Sequence, residues 1–516
     1  SILQELIYGY EIIAYESANK IDTGINNKTL SISICRALNY LSEMLLRCCE
    51  VHLPGPENLW NDVHQLYRHA EDKKLVDETV IDKEKEPYKT TIKNSYKQIL
   101  LFALAQPDSL SQSDCSRVYK ELFNWSAYAD IKCDAAKDLG DNVYCMKINE
   151  ASAPRYQGKD DLTENHIIRT LDTTKLVSHI NTLISEQNKH KQGFAAGDTI
   201  PLETLNRLVN AWGSNAKRRF SRIESNNQIN ATIGLSNIFR LLQEATKDKA
   251  SNDSSRNFFR TLTSPANIPV DSRHVFFQTS DTIEDDVNLT LTEIDSDNDK
   301  TLQHYITKAE SGGKQGELWE MVAKGRVLTD AYNEHSQLIN AQQPVLHRDN
   351  NDSQWQVANI SAGGYCLRWN TKDTSKAQIG ELIALQEHQP GNNFRNHIGT
   401  IRWMQSTPDN GLKIGVQILS PEAVSATVQR INHPNEPPFE CLLLPNIKAL
   451  KQSSSIILPS HAFKSENKLV VKLSENEVNI SLGEIKEQTG AFTRFSYENT
   501  ILDQQIDIQI KNAAAQ

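Results

Sequence analysis

The hydrophobic pattern of this chain changes period at Gly213, and that change decides which folds are open to it. Before it, Tyr96, Ile99, Leu100, Ala103 and Leu104 keep the spacing of one helical face and Phe102 adds a second, which predicts an interior helix. Another helix is predicted from Pro201 through Leu202, Leu205, Leu208, Val209 and Trp212, stopping at Gly213, because proline suits a first turn and glycine a terminus. After it, Ile229, Ala231 and Ile233 alternate, and Leu412, Ile414, Val416 and Ile418 lie two apart with Lys413, Gly415 and Gln417 between them. Alternation of this kind marks half-buried strands.

Further strands are expected over 355–360, 365–369, 380–387 and 398–404, separated by turn-rich text such as Pro390-Gly391-Asn392-Asn393 and Pro408-Asp409-Asn410-Gly411. Their spacing suggests a small antiparallel barrel. Between its first strand and the rest, residues 236 to 345 read as an insertion, with helical text at 238–245 and 318–323 and a polar, acidic stretch from Asp281 to Lys300. After Pro438 come strand-like runs at 441–444, 455–458, 468–472, 478–482 and 492–497. The expected fold is therefore α+β and multidomain: an all-α helical N-terminal domain (1–212), a barrel with a long insertion (213–437) and a small C-terminal β unit (438–516). Asp134 to Pro154 reads as irregular or partly extended around Val143, Cys145 and Ile148.

Length and composition narrow the function classes. The 516 residues carry 55 Lys+Arg against 65 Asp+Glu, a formal charge of −10, which disfavours duplex nucleic acid because like charge repels phosphate. No apolar run reaches the roughly 18–20 residues that a membrane span needs. The sequence begins at Ser1 with no initiator Met, basic n-region or cleavage site, so it reads as a cytoplasmic chain cut from a longer protein. Eight cysteines without a C-x-x-C pair read as reduced, mostly buried thiols, with Cys48 and Cys49 on a helix core. Asp295, Asp297 and Asp299 mimic the start of a calcium loop, but Lys300 and Ile306 stand where Gly and Glu are needed. His64 and His69 are five apart, no His-Glu-x-x-His occurs, and no serine elbow, phosphate loop or carboxylate pair is found. No catalytic residue, metal site or cofactor is expected.

One cluster asks for an anion. Lys217-Arg218-Arg219-Phe220-Ser221-Arg222 places four cations in six residues of an acidic protein, directly before the first barrel strand. Guanidinium forks suit a phosphodiester, and the same fork addresses O6 and N7 of guanine or stacks on its ring. Downstream, Asn359-Ile360-Ser361-Ala362-Gly363-Gly364 lies between two strands, where small residues admit a ligand and Asn and Ser supply short hydrogen bonds. Alone, R-x-x-x-R reads as a solvated helix end and N-x-S-x-x-G as an ordinary hairpin; the two in this order, each abutting a strand, carry the argument. Phe220 reads as a plug under the arm, and Trp355, Trp369 and Trp403 as barrel core.

Together these pieces resemble the PilZ family of bacterial cyclic di-GMP receptors, whose signature is an R-x-x-x-R arm followed by (D/N)-x-S-x-x-G on a six-stranded antiparallel barrel. Arg218 and Arg222 match the arm, Asn359, Ser361 and Gly364 match the second motif, and HIGTIRW (397–403) with LKIGVQIL (412–419) looks like the closing strands. The resemblance spans 214–235 and 346–435. It implies that Arg218, Arg219 and Arg222 grip phosphates and guanine of cyclic di-GMP, that Asn359 and Ser361 contact a guanine, and that Gly364 keeps the turn open. Two departures stand out: the motifs are 137 residues apart, and Asn replaces the commoner Asp, removing a charge. The segment ALNYLSEMLLRCCEVHLPGPENLWNDVHQLYRHAE (37–71) looks like the N-terminal half of bacterial proteins that carry such a barrel. The expected role is a non-enzymatic effector in which ligand binding rearranges the domains, with a protein partner on the helical domain. Two other readings stay open, a degenerate barrel serving as a protein-interaction scaffold and a single-strand nucleic-acid binder using 217–222.

Overall fold

The computed structural model describes residues 2–18, 25–82, 88–133, 143–156, 167–189, 199–213, 221–253, 352–369, 377–389, 393–407, 411–433, 435–447, 452–473 and 476–514. The chain divides into two compact units, Ser1–Lys217 with Trp403–Asn410, and Arg218–Arg402 with Gly411–Gln516.

The first unit holds α1 (Ile2–Ala18), α2 (Asn27–Glu50), α3 (Leu59–Asp72), β1 (Thr79–Asp82), β2 (Tyr88–Thr91), α4 (Ile92–Leu104), α5 (Gln112–Trp125), β3 (Asp130–Lys132), β4 (Val143–Lys147), β5 (Arg155–Tyr156), β6 (Ile168–Asp172), α6 (Thr174–Lys189) and α7 (Leu202–Gly213). Side-chain oxygens of Asn26, Thr91 and Ser111 accept from backbone N–H groups three residues on and so begin α2, α4 and α5. Helix α4 is the interior helix that its two apolar faces predict: Ile99, Leu100, Leu101 and Phe102 are all fully buried. Helix α7 is anchored through Trp212, whose indole N–H donates to the Leu101 carbonyl at 3.0 Å. The helical region also carries a β1–β2 hairpin and a four-stranded antiparallel sheet in the order β3-β6-β4-β5. The extended text around Val143 is one of its two middle strands. Its pairings, such as Ile131 with Leu171, join short runs far apart in the chain, which periodicity cannot announce.

The second unit contains two closed six-stranded antiparallel barrels, except that the last residues of β12 (403–407) count with the first unit. The first is built from β7 (Ile223–Glu224), β8 (Gln228–Ile233), α8 (Leu235–Asp253), β9 (Asp352–Ser361), β10 (Gly364–Trp369), β11 (Leu382–Gln389), β12 (Asn393–Thr407) and β13 (Gly411–Ser420). Its ring runs β8-β9-β10-β13-β12-β11 and back to β8, with β7 as an extra strand on β9. Paired residues share a face, so Ile229, Ala231, Trp355, Val357, Leu367, Ile414, Ile383 and Leu385 fill the interior. Trp369 packs on the fully buried Trp355 with ring centroids 4.9 Å apart and the planes tilted by 46°, while Trp403 is half-buried.

The helical text at 238–245 is α8. Its Ile238, Phe239 and Leu242 form a core with the outer-face residues Leu382, Ala384, Ile398 and Leu419 and with Leu442, Leu444, Ile457 and Phe492 of the second barrel. Residues 238–242 thus join the two barrels, although the sequence reads them as the start of an insertion. The remaining insertion text, including Asp281–Lys300 and 318–323, lies outside the described residues.

The second barrel runs β14 (Val424–Arg430), β15 (Phe439–Leu444), β16 (Ser455–Pro459), β17 (Lys468–Leu473), β18 (Asn476–Gln488) and β19 (Phe492–Tyr497), closing in the order β14-β15-β16-β19-β18-β17. A final helix, α9 (Thr500–Ala514), adds Leu502 and Ile506 to its core. All eight cysteines are free thiols, six of them buried.

Candidate functional site

Strands β9 and β10 form a hairpin through Ala362-Gly363, and this hairpin is the N-x-S-x-x-G turn. Its first pair is Ser361 with Gly364, and the Ser361 hydroxyl donates to the Gly364 carbonyl at 3.3 Å. A bulge at Ala358 shifts the register, so Val357 faces the core opposite Leu367 while Asn359, opposite Cys366, faces outward. Bulges re-aim side chains in this way and concentrate at binding sites.

On its other edge β9 meets β7, with Ile223 paired to Ile360 and Glu224 to Asn359. Arg222 is one residue upstream of that pairing, so continuing the antiparallel register sets it beside Ser361. The Ser225 N–H bonds to the Ala358 carbonyl at 3.2 Å and the Val357 N–H to the Asn227 carbonyl at 2.8 Å, which tie the arm-bearing segment to the motif strand. Arg222, Asn359, Ser361 and Gly364 therefore come together at one end of the barrel's outer face. Arg218, Arg219 and Phe220 lie outside the described residues.

Gly364 has a packing reason that differs from an open turn. A Cβ there would stand 1.9 Å from the Val416 carbonyl oxygen, so only glycine lets the hairpin lie against β13. Gly399 on β12 also meets β13 too closely for a side chain, since a Cβ there would stand 2.7 Å from the Gln417 carbonyl oxygen.

The electrostatics of this face are cationic. Burial raises the Cys366 thiol pKa above its usual range, and Lys413, Arg222 and Arg368 each pull it back down, so all three charges surround that thiol. Arg368 pairs across the strands with Lys413. Sequence reading missed both, although alternation already separates Cys366 and Arg368 from the buried Leu367. What it lacked was the pairing of β10 with β13. Glu224, exposed on β7 and paired directly with Asn359, sets one carboxylate on the same face and forms no ion pair among the described residues.

Three family models cover nearly the whole chain. "Cyclic-di-GMP receptor FimW, N-terminal domain" matches residues 1–137, "Cyclic-di-GMP receptor FimW, middle PilZ domain" matches 143–320 and 274–424, and "FimW C-terminal beta-barrel domain" matches 424–500. The chain belongs to the FimW family. The FimW middle-domain match contains the arm, the hairpin and all of the first barrel, and the FimW C-terminal match contains the second barrel. A curated relative, "Cyclic-di-GMP receptor FimW" of Pseudomonas aeruginosa, is 23% identical over 513 residues, covering 97% of this chain and 77% of the relative. No solved structure matches. The resemblance to PilZ receptors thus extends, through the FimW models, into the helical region. No helix among the described residues is long and apolar enough to cross a membrane.

Proposed function

We propose that this FimW-family chain binds cyclic di-GMP on the outer face of its first barrel, with Arg218 and Arg222 gripping phosphate and guanine and Arg219 reinforcing the arm. Asn359 and Ser361 supply fixed hydrogen bonds to a guanine edge, and Gly364 lets the hairpin pack so that both side chains face outward. The single observation that carries this is the β7–β9 pairing, which brings Arg222 to Ser361 across 139 residues of sequence. An exposed guanidinium without an ion pair among the described residues, beside an outward-facing amide and hydroxyl, is chemistry suited to an anionic nucleotide.

The arm joins α7 to β7, so a ligand held by both arginines restrains the connection from the helical region into the barrel. That restraint is the means by which nucleotide level is read out, with a protein partner recognised by the helical region and no catalysis in the chain. A cytoplasmic site of action follows from the ligand, an intracellular second messenger. Calorimetric titration with cyclic di-GMP, using GTP and cyclic di-AMP as controls, tests this reading. Wild type is expected to bind the guanine dinucleotide selectively. Replacing Arg218 and Arg222 together by Ala is expected to remove about 1.5–3 kcal/mol per arginine. Unchanged affinity in that double variant defeats the proposal.

A further inference from the structure

Arg368 and Lys413 stand directly opposite one another on neighbouring strands, where like charges repel. Neither makes an ion pair among the described residues, and the Arg368 Nε is buried without a hydrogen-bond partner. A buried, unsatisfied donor on a guanidinium is costly in isolation. Both side chains share the outer face with Asn359, because Cys366 pairs with Asn359 on one side and Gly415 on the other, and Arg368 and Lys413 occupy the next outward positions. Two residues along β10 from Cys366 is a step of about 7 Å. The pair therefore lies beyond the turn and arm by a distance comparable with one nucleotide unit.

We infer that Arg368 and Lys413 form a second anion grip which holds the far nucleotide half of the ring, so that these two residues set the preference for a cyclic dinucleotide over a mononucleotide. This rests on the nucleotide reading above and deepens it. The turn and arm engage one guanine and its phosphate. Arg368 offers parallel donors to the second phosphate or guanine edge, and Lys413 adds a mobile point charge beside it. Ligand binding then relieves the repulsion between the two cations.

The test titrates cyclic di-GMP and GMP into wild type, Arg222→Ala, Arg368→Ala, Lys413→Ala and the Arg368→Ala/Lys413→Ala double variant, with melting curves as a check on folding. Each single change at the second grip is expected to weaken cyclic di-GMP binding about tenfold and the double change about fiftyfold or more, with GMP binding within about twofold of wild type. Arg222→Ala is expected to weaken both ligands. Because the double variant removes a repulsive pair, its melting temperature is expected not to fall. Arg368→Lys, which keeps charge without the fork, is expected to recover part of the lost affinity. A double variant that binds cyclic di-GMP within twofold of wild type overturns the inference while leaving the nucleotide reading intact, and so does one that loses both ligands equally. A wild-type chain that binds no cyclic di-GMP overturns both.

Discussion

The two barrels of the second unit share a strand number and antiparallel closure, and both carry ion pairs, including Arg395–Glu422 and His397–Glu387 in the first, yet one face of the first treats charge differently. The second barrel holds Lys472 against Glu477, Lys486 against Glu484, Arg430 against Glu436 and Arg494 near Glu487. The first leaves Arg222, Arg368 and Lys413 around Cys366 with no ion pair among the described residues. Architecture alone does not make a receptor; on the reading proposed above, the distribution of unneutralised charge on one face of it does. The second barrel serves instead as a packing partner, giving Leu442, Leu444, Ile457 and Phe492 to the core that it shares with α8 and the first barrel.

Glycines offer the sharpest way to break this comparison. Gly364→Ala in the first barrel forces a methyl into the Val416 carbonyl and is expected to cost about 3 kcal/mol or more of unfolding free energy, with loss of ligand binding. Gly490→Ala in the second meets nothing within 4 Å and is expected to stay within about 0.5 kcal/mol. Urea denaturation of both variants decides the point, and equal effects would mean that β13 does not crowd the hairpin.

A smaller effect tests the seam between the barrels. Arg402 of β12 reaches Glu487 of β18 at 2.9 Å and donates to Gln417, the partner of Gly364, at 2.7 Å, while Arg494 stands 3.9 Å from the same carboxylate. Glu487 and Arg494 are each 7% exposed, so Glu487→Gln leaves the buried Arg494 uncompensated. It is expected to cost about 2–3 kcal/mol in denaturant unfolding. A change below about 0.5 kcal/mol would show that the seam is held by apolar packing alone. The smallest effect is Lys472→Ala. Its pair with Glu477 is 60% exposed on both sides, and both stability and ligand affinity are expected to move by less than about 0.5 kcal/mol. A large loss of ligand affinity there would erase the contrast between the barrels.

Much of this was legible in the sequence, but unevenly. Alternation at Leu412, Ile414, Val416 and Ile418 located β13 because each side chain's face follows from its position in the chain. It did not foresee Leu419, buried on the opposite face because the second barrel covers it. The two motifs pointed to one another across 137 residues, and the β7–β9 ladder supplies the physical reason that Arg222 and the turn meet. Arg368 and Lys413 stayed invisible because their juxtaposition depends on which strands pair. The bulge at Ala358 stayed invisible because a single unpaired residue leaves no periodic trace. Strand β14 was missed for a plainer reason: Val424 to Arg430 mixes small, β-branched and polar residues, which gives only a weak alternation.

Strand β9 is the element on which β7, β8 and β10 all depend, and it appears in the chain only after a long excursion. At ribosomal speeds of 5–20 residues per second, Asn359 is made about 7–27 s after Arg222. The early strands must wait through that interval with their edges unmatched, and the high contact order slows closure further. Nascent chains would acquire the receptor face late, leaving a period in which chaperones, rather than nucleotide, are the relevant company for the arm.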